Sequence, residues 1–320
     1  MALTIQDIEK AQDRIAPYIM QTPLLRLSAL DEILSCRVYV KAECMQTTGA
    51  FKLRGAMNKL LSLSEDRLKR GVVAASSGNH GRALAYAARQ MGIPATIVLP
   101  DTAPQIKRDN IAALGGKVVI STPEDRFKRA EEICMETGAT LVPPYNDEEI
   151  MAGQGTAGLE LVDQYRQYHP DAPLATVITP VSGGGLLAGL STAVKDRSPE
   201  TKVIGAEPAA LPAYSVSLAQ GVPTKVPVAK TISDALISLK PGDLCFPYVQ
   251  ERADGVVPVE DRFVLQAMEI LLMEGKILAE PSSCIGMAAI LEGKLHFAAD
   301  DTVCFLLSGG NVSKELLNDL

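Results

Sequence analysis

Histidine is scarce in this chain: His80, His169 and His296 are the only three in 320 residues. Without a cluster of His, Cys and carboxylate residues a zinc centre is not expected. A Ser-His-Asp triad would have to be built on His80, since neither of the other two lies beside a recognisable site motif. The six cysteines (Cys36, Cys44, Cys134, Cys245, Cys284 and Cys304) form no C-x-x-C pair. They read as small buried apolar residues of a reduced compartment, with no disulfide framework. No stripe of Lys and Arg occurs and the formal net charge is −7, which argues against nucleic acid and anionic membranes as partners. No apolar run is long enough for a signal peptide or a membrane span, and "MALTIQDIEKAQDRI" carries charges at helical spacing from Asp7 onward. These absences point to a cytoplasmic protein whose partner is a small molecule.

What is present is ample core: 47% of residues are hydrophobic, and the length exceeds the roughly 250–300 residues at which one core usually divides. Short β-rich runs alternate with helical patterns: "VVAAS" then 79–91, "ATIVLP" then 104–114, "KVVIS" then 124–137, "TVITPV" then 185–196, and "KVIGAE". This alternation predicts an α/β protein with parallel-type sheets flanked by helices. Hinges at 69–71 and 143–147 divide it into a large domain, 1–70 with 147–320, and a small mobile domain, 71–146. Residues 221–258 are Pro-rich and show no clear period.

Four stretches carry chemistry. In "TGAFKLRG" the helical spacing of Leu53, Met57, Leu60 and Leu61 begins just after Gly49, so Lys52 falls in a first helical turn. A charged lysine there loses about 0.3–1 kcal/mol against the helix dipole relative to an acidic residue. A neutral amine escapes that penalty, and burial beside another cation is one way to obtain it. "SSGNHG", Ser76 to Gly81, sets hydroxyls, an amide, an imidazole and backbone N–H groups at a helix start, a receptacle for a carboxylate. "SGGGLLAG", Ser182 to Gly189, lets consecutive N–H groups converge on a phosphate before another helix. "SGGN", 308–311, ends a strand with a hydroxyl that can meet a ring nitrogen without carrying charge.

The second glycine loop has a competing reading. Gly183 and Gly185 imitate part of a dinucleotide fingerprint, and Glu207 ends the next strand at about the spacing of a ribose-binding acid. The third glycine falls at 189 instead of 188. An NAD(P)-dependent dehydrogenase is therefore the alternative from another class, and it leaves Lys52 and the Ser76–Gly81 loop unexplained.

Taken in order, "TGAFKLRG", "SSGNHG", "AGQGT", "PVSGGGLLAG", "AEP", "EPSS" and "SGGNV" resemble the serine racemase and serine/threonine dehydratase family, pyridoxal-phosphate enzymes of the tryptophan-synthase β-like fold type II. The N-terminal stretch and "SGNHGRALAYAARQMGI" are similar to the threonine dehydratase branch, including the hydroxyectoine-utilisation dehydratases. The resemblance implies that Lys52 binds pyridoxal 5'-phosphate covalently and that Phe51 lies near its ring. It gives the phosphate to the backbone of Gly183, Gly184, Gly185 and Leu186, the 3'-oxygen to Asn79 and the pyridine nitrogen to Ser308. The substrate carboxylate goes to Ser76, Ser77, Asn79 and His80. Ser77 would also face the cofactor opposite Lys52, where it reprotonates Cα in a racemase.

A serine does not keep the pyridine nitrogen protonated as an aspartate would, so departure of a β-leaving group is favoured over a long-lived carbanion. The expected reaction is dehydration of L-threonine or L-serine to a 2-oxo acid and ammonia, with serine racemisation and 3-hydroxyaspartate dehydration as alternatives. A non-catalytic amino-acid sensor on the same scaffold would bind cofactor without turnover. The chain departs from the family at Ala50, where Ser is common, at Ser182, which replaces a glycine, and at Ala235, which replaces another. A cation site would use Glu207 and the carbonyl of Leu211, but Ala213 stands where an Asp is expected, so a divalent ion would bind weakly or differently. Tyr145 lies where relatives vary near the site. A homodimer is expected by resemblance, and isoleucine feedback through a C-terminal regulatory region is not.

Overall fold

The computed structural model describes residues 3–76, 78–170 and 172–318. Ten strands form two sheets: β1 (Leu24–Arg26), β2 (Arg37–Lys41), β3 (Val72–Ala75), β4 (Ala95–Pro100), β5 (Lys117–Ser121), β6 (Thr140–Leu141), β7 (Thr176–Pro180), β8 (Lys202–Pro208), β9 (Gly255–Val259) and β10 (Thr302–Leu306). The larger sheet has the order β1-β2-β10-β7-β8-β9 and the smaller β5-β4-β3-β6. All pairings are parallel except β1 with β2, where Leu24 faces Lys41. Parallel strands buried on both faces read as continuous apolar runs. That is the character of "TVITP" and "TVCFL", which are buried throughout and lie side by side in the larger sheet. The two together define an α/β fold, with helices covering the sheets.

The smaller sheet is nested in the chain between β2 and β7, so its strands are contiguous in sequence while those of the larger sheet are not. Helix Lys52–Leu61 joins the two. Its Leu53, Ala56, Met57 and Leu60 pack into the apolar cluster that holds Ala74, Leu84 and Ile97 of the smaller sheet and its helix. On its other side it meets helix Glu148–Tyr168 so closely that a Cβ on Gly153 would lie 2.6 Å from the Cα of Gly55. That long helix in turn packs on helix Gly185–Arg197, where a Cβ on Gly189 would strike the carbonyl of Met151. Small residues here are what allow three backbones to approach. The start of the Lys52 helix is thereby fixed relative to the glycine-loop helix.

Residues 222–233 form no regular element; they are followed by the turn Asp234–Leu236, helix Phe246–Arg252 and β9. All six cysteines are free thiols, four of them buried and Cys44 and Cys134 half-buried. Among the described residues no helix is long and apolar enough to cross a membrane.

Candidate active site

A cleft of about 1570 Å³ opens between the two sheets, lined among others by Lys52, Ser76, Asn79, His80, Gly184 and Ser308. Single small-molecule pockets usually measure about 300–1,000 Å³, so this one has room for a cofactor and a substrate together. Phe51, Gly183, Gly185 and Leu186 line it as well. Ser77 lies outside the described residues.

Lys52 owes its position to the turn before it. Gly49 adopts φ +75°, which favours glycine, and the N–H of Phe51 donates to the carbonyl of Ser308 at 3.0 Å. The helix starts at Lys52 itself. Its Nζ donates to the carbonyl of Pro144 at 2.6 Å and lies 5.1 Å from the centroid of the Phe51 ring. Burial lowers the amine to about 8. The expectation that a second cation beside it contributes needs correction. Arg54 is turned away into the core, where it binds Glu43 at 2.8 Å and Glu160 at 2.7 Å, and desolvation is the chief cause of the shift.

The Ser76–Gly81 loop leads into helix Asn79–Met91. Gly81 is required there because a Cβ would strike the carbonyl of Ser76. His80 is 2% exposed; its Nε2 lies 2.9 Å from the carbonyl of Val142, and Nδ1 is buried with no partner among the described residues. Burial, and then the nearby charge of Lys52, push its pKa down to about 4, so the ring is neutral at physiological pH. Asn79 is held at both ends of its amide: Nδ2 donates to Glu280 Oε1 at 2.8 Å and Oδ1 accepts from Asn311 Nδ2 at 2.7 Å. Burial, reinforced by Asp234, raises Glu280 to about 7.

After β7, Gly184 takes φ +101° and a Cβ there would run into the hydroxyl of Tyr214. The first hydrogen bond of the next helix runs from Ala188 N to Gly184 O at 2.8 Å, so the N–H groups of Gly185, Leu186 and Leu187 precede the helical ladder. The Tyr214 hydroxyl donates to Gly183 O at 3.2 Å, and the N–H of Gly242 donates to the same oxygen at 2.9 Å. The ring of Tyr145 closes over Gly183 from the other side. Ser308 lies 3.0 Å, Oγ to Oγ, from Ser283, whose hydroxyl donates to Gly309 O at 2.7 Å. The N–H of Gly309 donates to the same Ser283 oxygen at 2.7 Å, and either hydroxyl of the Ser283–Ser308 pair can be the donor.

Glu207 is not brought to the cleft with the others. Its carboxylate accepts from Tyr214 N at 2.8 Å and Ser215 N at 2.7 Å, which ties it to the start of helix Ala213–Gln220. That use removes the ribose-binding role on which the dinucleotide alternative rested. No group of three or more His, Cys, Asp or Glu side chains suited to a metal ion occurs among the described residues. Glu280, Asn311, Tyr214 and Ser283 support the site without having been singled out by sequence reasoning. The stretches "EPSS" and "SGGN" held three of them, but only as motif letters.

The chain belongs to the family of pyridoxal-phosphate dependent enzymes, whose pattern it matches over residues 15–309. It is 40% identical over 317 residues to the serine racemase of Arabidopsis thaliana, covering 97% of this chain and 94% of that one. It is 39% identical over 318 residues to the L-threonine ammonia-lyase of Thermotoga maritima, covering 99% of this chain and 77% of that one. Among solved structures, maize serine racemase superposes with a TM-score of 0.93 at 37% identity, covering 100% of this chain and 97% of the other. The fold is that of the type II pyridoxal-phosphate enzymes, and pyridoxal 5'-phosphate is the family's cofactor.

The residues present fit that group. A buried amine of lowered pKa suits an aldehyde. Helix-start N–H groups behind a glycine loop suit a phosphate, and the hydroxyl of Ser308 suits a ring nitrogen.

Proposed function

We propose that this protein eliminates water from a small 3-hydroxy amino acid, L-threonine or L-serine, to give a 2-oxo acid and ammonia. The observation that supports this reading best is the shared cleft: an amine lowered to about 8, a phosphate-type glycine loop and a neutral polar helix start all face one space. Pyridoxal phosphate, when bound, supplies an electron sink for the bond to the Cα proton.

The chain's own residues then divide the work. Ser76, Asn79 and His80 receive the substrate carboxylate, His80 as a neutral ring that donates or accepts a hydrogen bond without adding charge. Lys52, as a free amine, accepts the Cα proton. The Cβ hydroxyl departs as water, and the released enamine tautomerises and is hydrolysed to the 2-oxo acid and ammonium. Ser308, uncharged, favours this prompt departure over prolonged storage of the electron pair.

Racemisation is the second reading, favoured by the likeness to proteins named serine racemase. It needs an acid on the face opposite Lys52, a role we assign to Ser77. Both readings are tested by supplying purified protein and pyridoxal phosphate with L-serine and L-threonine, then assaying 2-oxo acid and the chirality of recovered serine. Oxo acid accumulating from either substrate supports the lyase. D-serine without oxo acid would replace it with the racemase, and neither product would overturn both.

A further inference from the structure

Asn79, Glu280 and Asn311 line the cleft together, and the hydrogen bonds among them leave one way to orient the amide of Asn79. The carbonyl of Thr48, in the turn before Lys52, only accepts, so the end of Asn311 that meets it at 3.1 Å is Nδ2. The same Nδ2 lies 2.7 Å from the Asn79 amide, which must then present Oδ1. Nδ2 of Asn79 falls opposite Glu280 Oε1 at 2.8 Å. Reversing either amide would set donor against donor or acceptor against acceptor. Glu280 does not fix the order alone, because at about 7 it is partly protonated near neutral pH and a carboxylic acid can meet either end of an amide.

Asn311 is itself well seated. It stands on the loop that carries Ser308, where Gly310 N donates to Gly49 O at 2.8 Å and Ser308 O accepts from Phe51 N at 3.0 Å. A Cβ on Gly49 would come within 2.5 Å of Asn311 Oδ1, so the amide fits only against a glycine. Nδ2 of Asn79 carries two hydrogens; one goes to Glu280 and the other has no partner among the described residues. Family resemblance gives Asn79 two ligands, the 3'-oxygen of the cofactor and the substrate carboxylate, yet its side chain has a single N–H to offer. The carboxylate has other donors. The first bond of helix Asn79–Met91 runs from Arg82 N to Gly78 O at 3.2 Å, so the backbone N–H groups of Asn79, His80 and Gly81 precede the helical ladder. The side-chain N–H is left for the 3'-oxygen, an acidic phenol that is anionic at neutral pH.

We propose that Asn311 is a positioning residue for the cofactor: it fixes the sense of the Asn79 amide, so that an N–H and not a carbonyl meets the 3'-oxygen of pyridoxal phosphate. This rests on the cofactor placement that the lyase reading uses and goes one residue beyond it. Donation from Asn311 to Oδ1 also polarises the amide and strengthens its N–H as a donor. Without Asn311 the amide can turn over, and the carbonyl it then presents repels an anionic oxygen.

The test measures dissociation constants for pyridoxal 5'-phosphate and for its 3-deoxy analogue in the wild type, Asn311→Leu, Asn311→Asp, Asn79→Ala and the double variant Asn79→Ala/Asn311→Leu. The change in their ratio between proteins isolates the contact to the 3'-oxygen, and urea titrations report the stability of each. Asn311→Leu should lower the preference for pyridoxal phosphate about tenfold, as loss of a hydrogen bond to a charged oxygen does. Asn311→Asp, which keeps the shape but when ionised cannot donate, should lower it at least as much. In the Asn79→Ala background Asn311→Leu should change it by less than about twofold, because the residue through which it acts is gone. A ratio within about twofold of wild type in either Asn311 variant, with or without a loss of stability, would overturn the proposal. So would an equal loss in the Asn79→Ala background. If the loaded wild type forms no 2-oxo acid from serine or threonine, the lyase reading has failed, while the ratio still decides the role of Asn311.

Discussion

The amine of Lys52 meets a carbonyl oxygen, that of Pro144 at 2.6 Å, whereas the buried amine of Lys41 meets the carboxylate of Glu160 at 2.7 Å. A dipole compensates a desolvated charge less than an anion does, and this is the setting in which Lys52 falls to about 8. The neutral amine is the form that attacks an aldehyde. Uptake of pyridoxal phosphate by the cofactor-free protein should therefore accelerate as pH rises, with a midpoint near 8 in stopped-flow absorbance; a flat rate between pH 6.5 and 9.5 would contradict the assignment. Glu280 predicts the opposite trend in stability. Its folded pKa, about 7, lies above the ordinary 4.5, so between these values the folded state holds the extra proton and stability falls as pH rises. Glu280→Gln, which keeps an acceptor for Asn79, should remove a fall on the order of 3 kcal/mol between pH 4.5 and 8 in urea titrations. Arg54 makes a further residue-scale prediction. With Lys41 it balances Glu43 and Glu160 in the core, and Arg54→Met should cost about 3–5 kcal/mol by leaving a buried charge uncompensated.

Elements differ in how plainly the chain announces them. Strands β3, β4, β5, β7 and β8 and the helices that follow β3, β4, β5 and β7 were legible because each apolar run ends at a turn or loop and passes into a helical period. β1 and β6 were not, since three and two residues give no period to read. β9 contains Pro258, which argues against a central strand; it is an edge strand, where a missing N–H is tolerated. Within the site, Lys52 and the glycine loop were legible because their chemistry is local. The pair Asn79–Glu280 is separated by 201 positions, and no spacing rule reports such a contact. Arg54 was misread for a related reason: two residues along a helix face different sides, so proximity in sequence was not proximity in space. At this scale the close packing of helices Glu148–Tyr168 and Gly185–Arg197 is testable. Gly189→Ala pushes a Cβ into the carbonyl of Met151 and should destabilise by about 1–3 kcal/mol or more in denaturant titrations.

Across the whole molecule, two sheets of different size share one cleft, and helix Lys52–Leu61 packs into the apolar cluster of the smaller sheet on one side and against helix Glu148–Tyr168 on the other. Lys52 thus stands where the two halves meet, in one cleft with the glycine loop from the larger sheet and the loop after β3 from the smaller one. Lys107, on the helix before β5, reaches Asp234 across the mouth at 3.1 Å. Both side chains are exposed, so Lys107→Ala should shift the unfolding free energy by less than about 1 kcal/mol. The central claim is that this cleft works through Lys52, and it is tested most directly by reducing the cofactor-loaded protein with borohydride and mapping the modified peptide by mass spectrometry. The account predicts a phosphopyridoxyl group on Lys52 alone, lost in Lys52→Ala together with ammonia release. A label on another lysine, or full ammonia release by the variant, would contradict it.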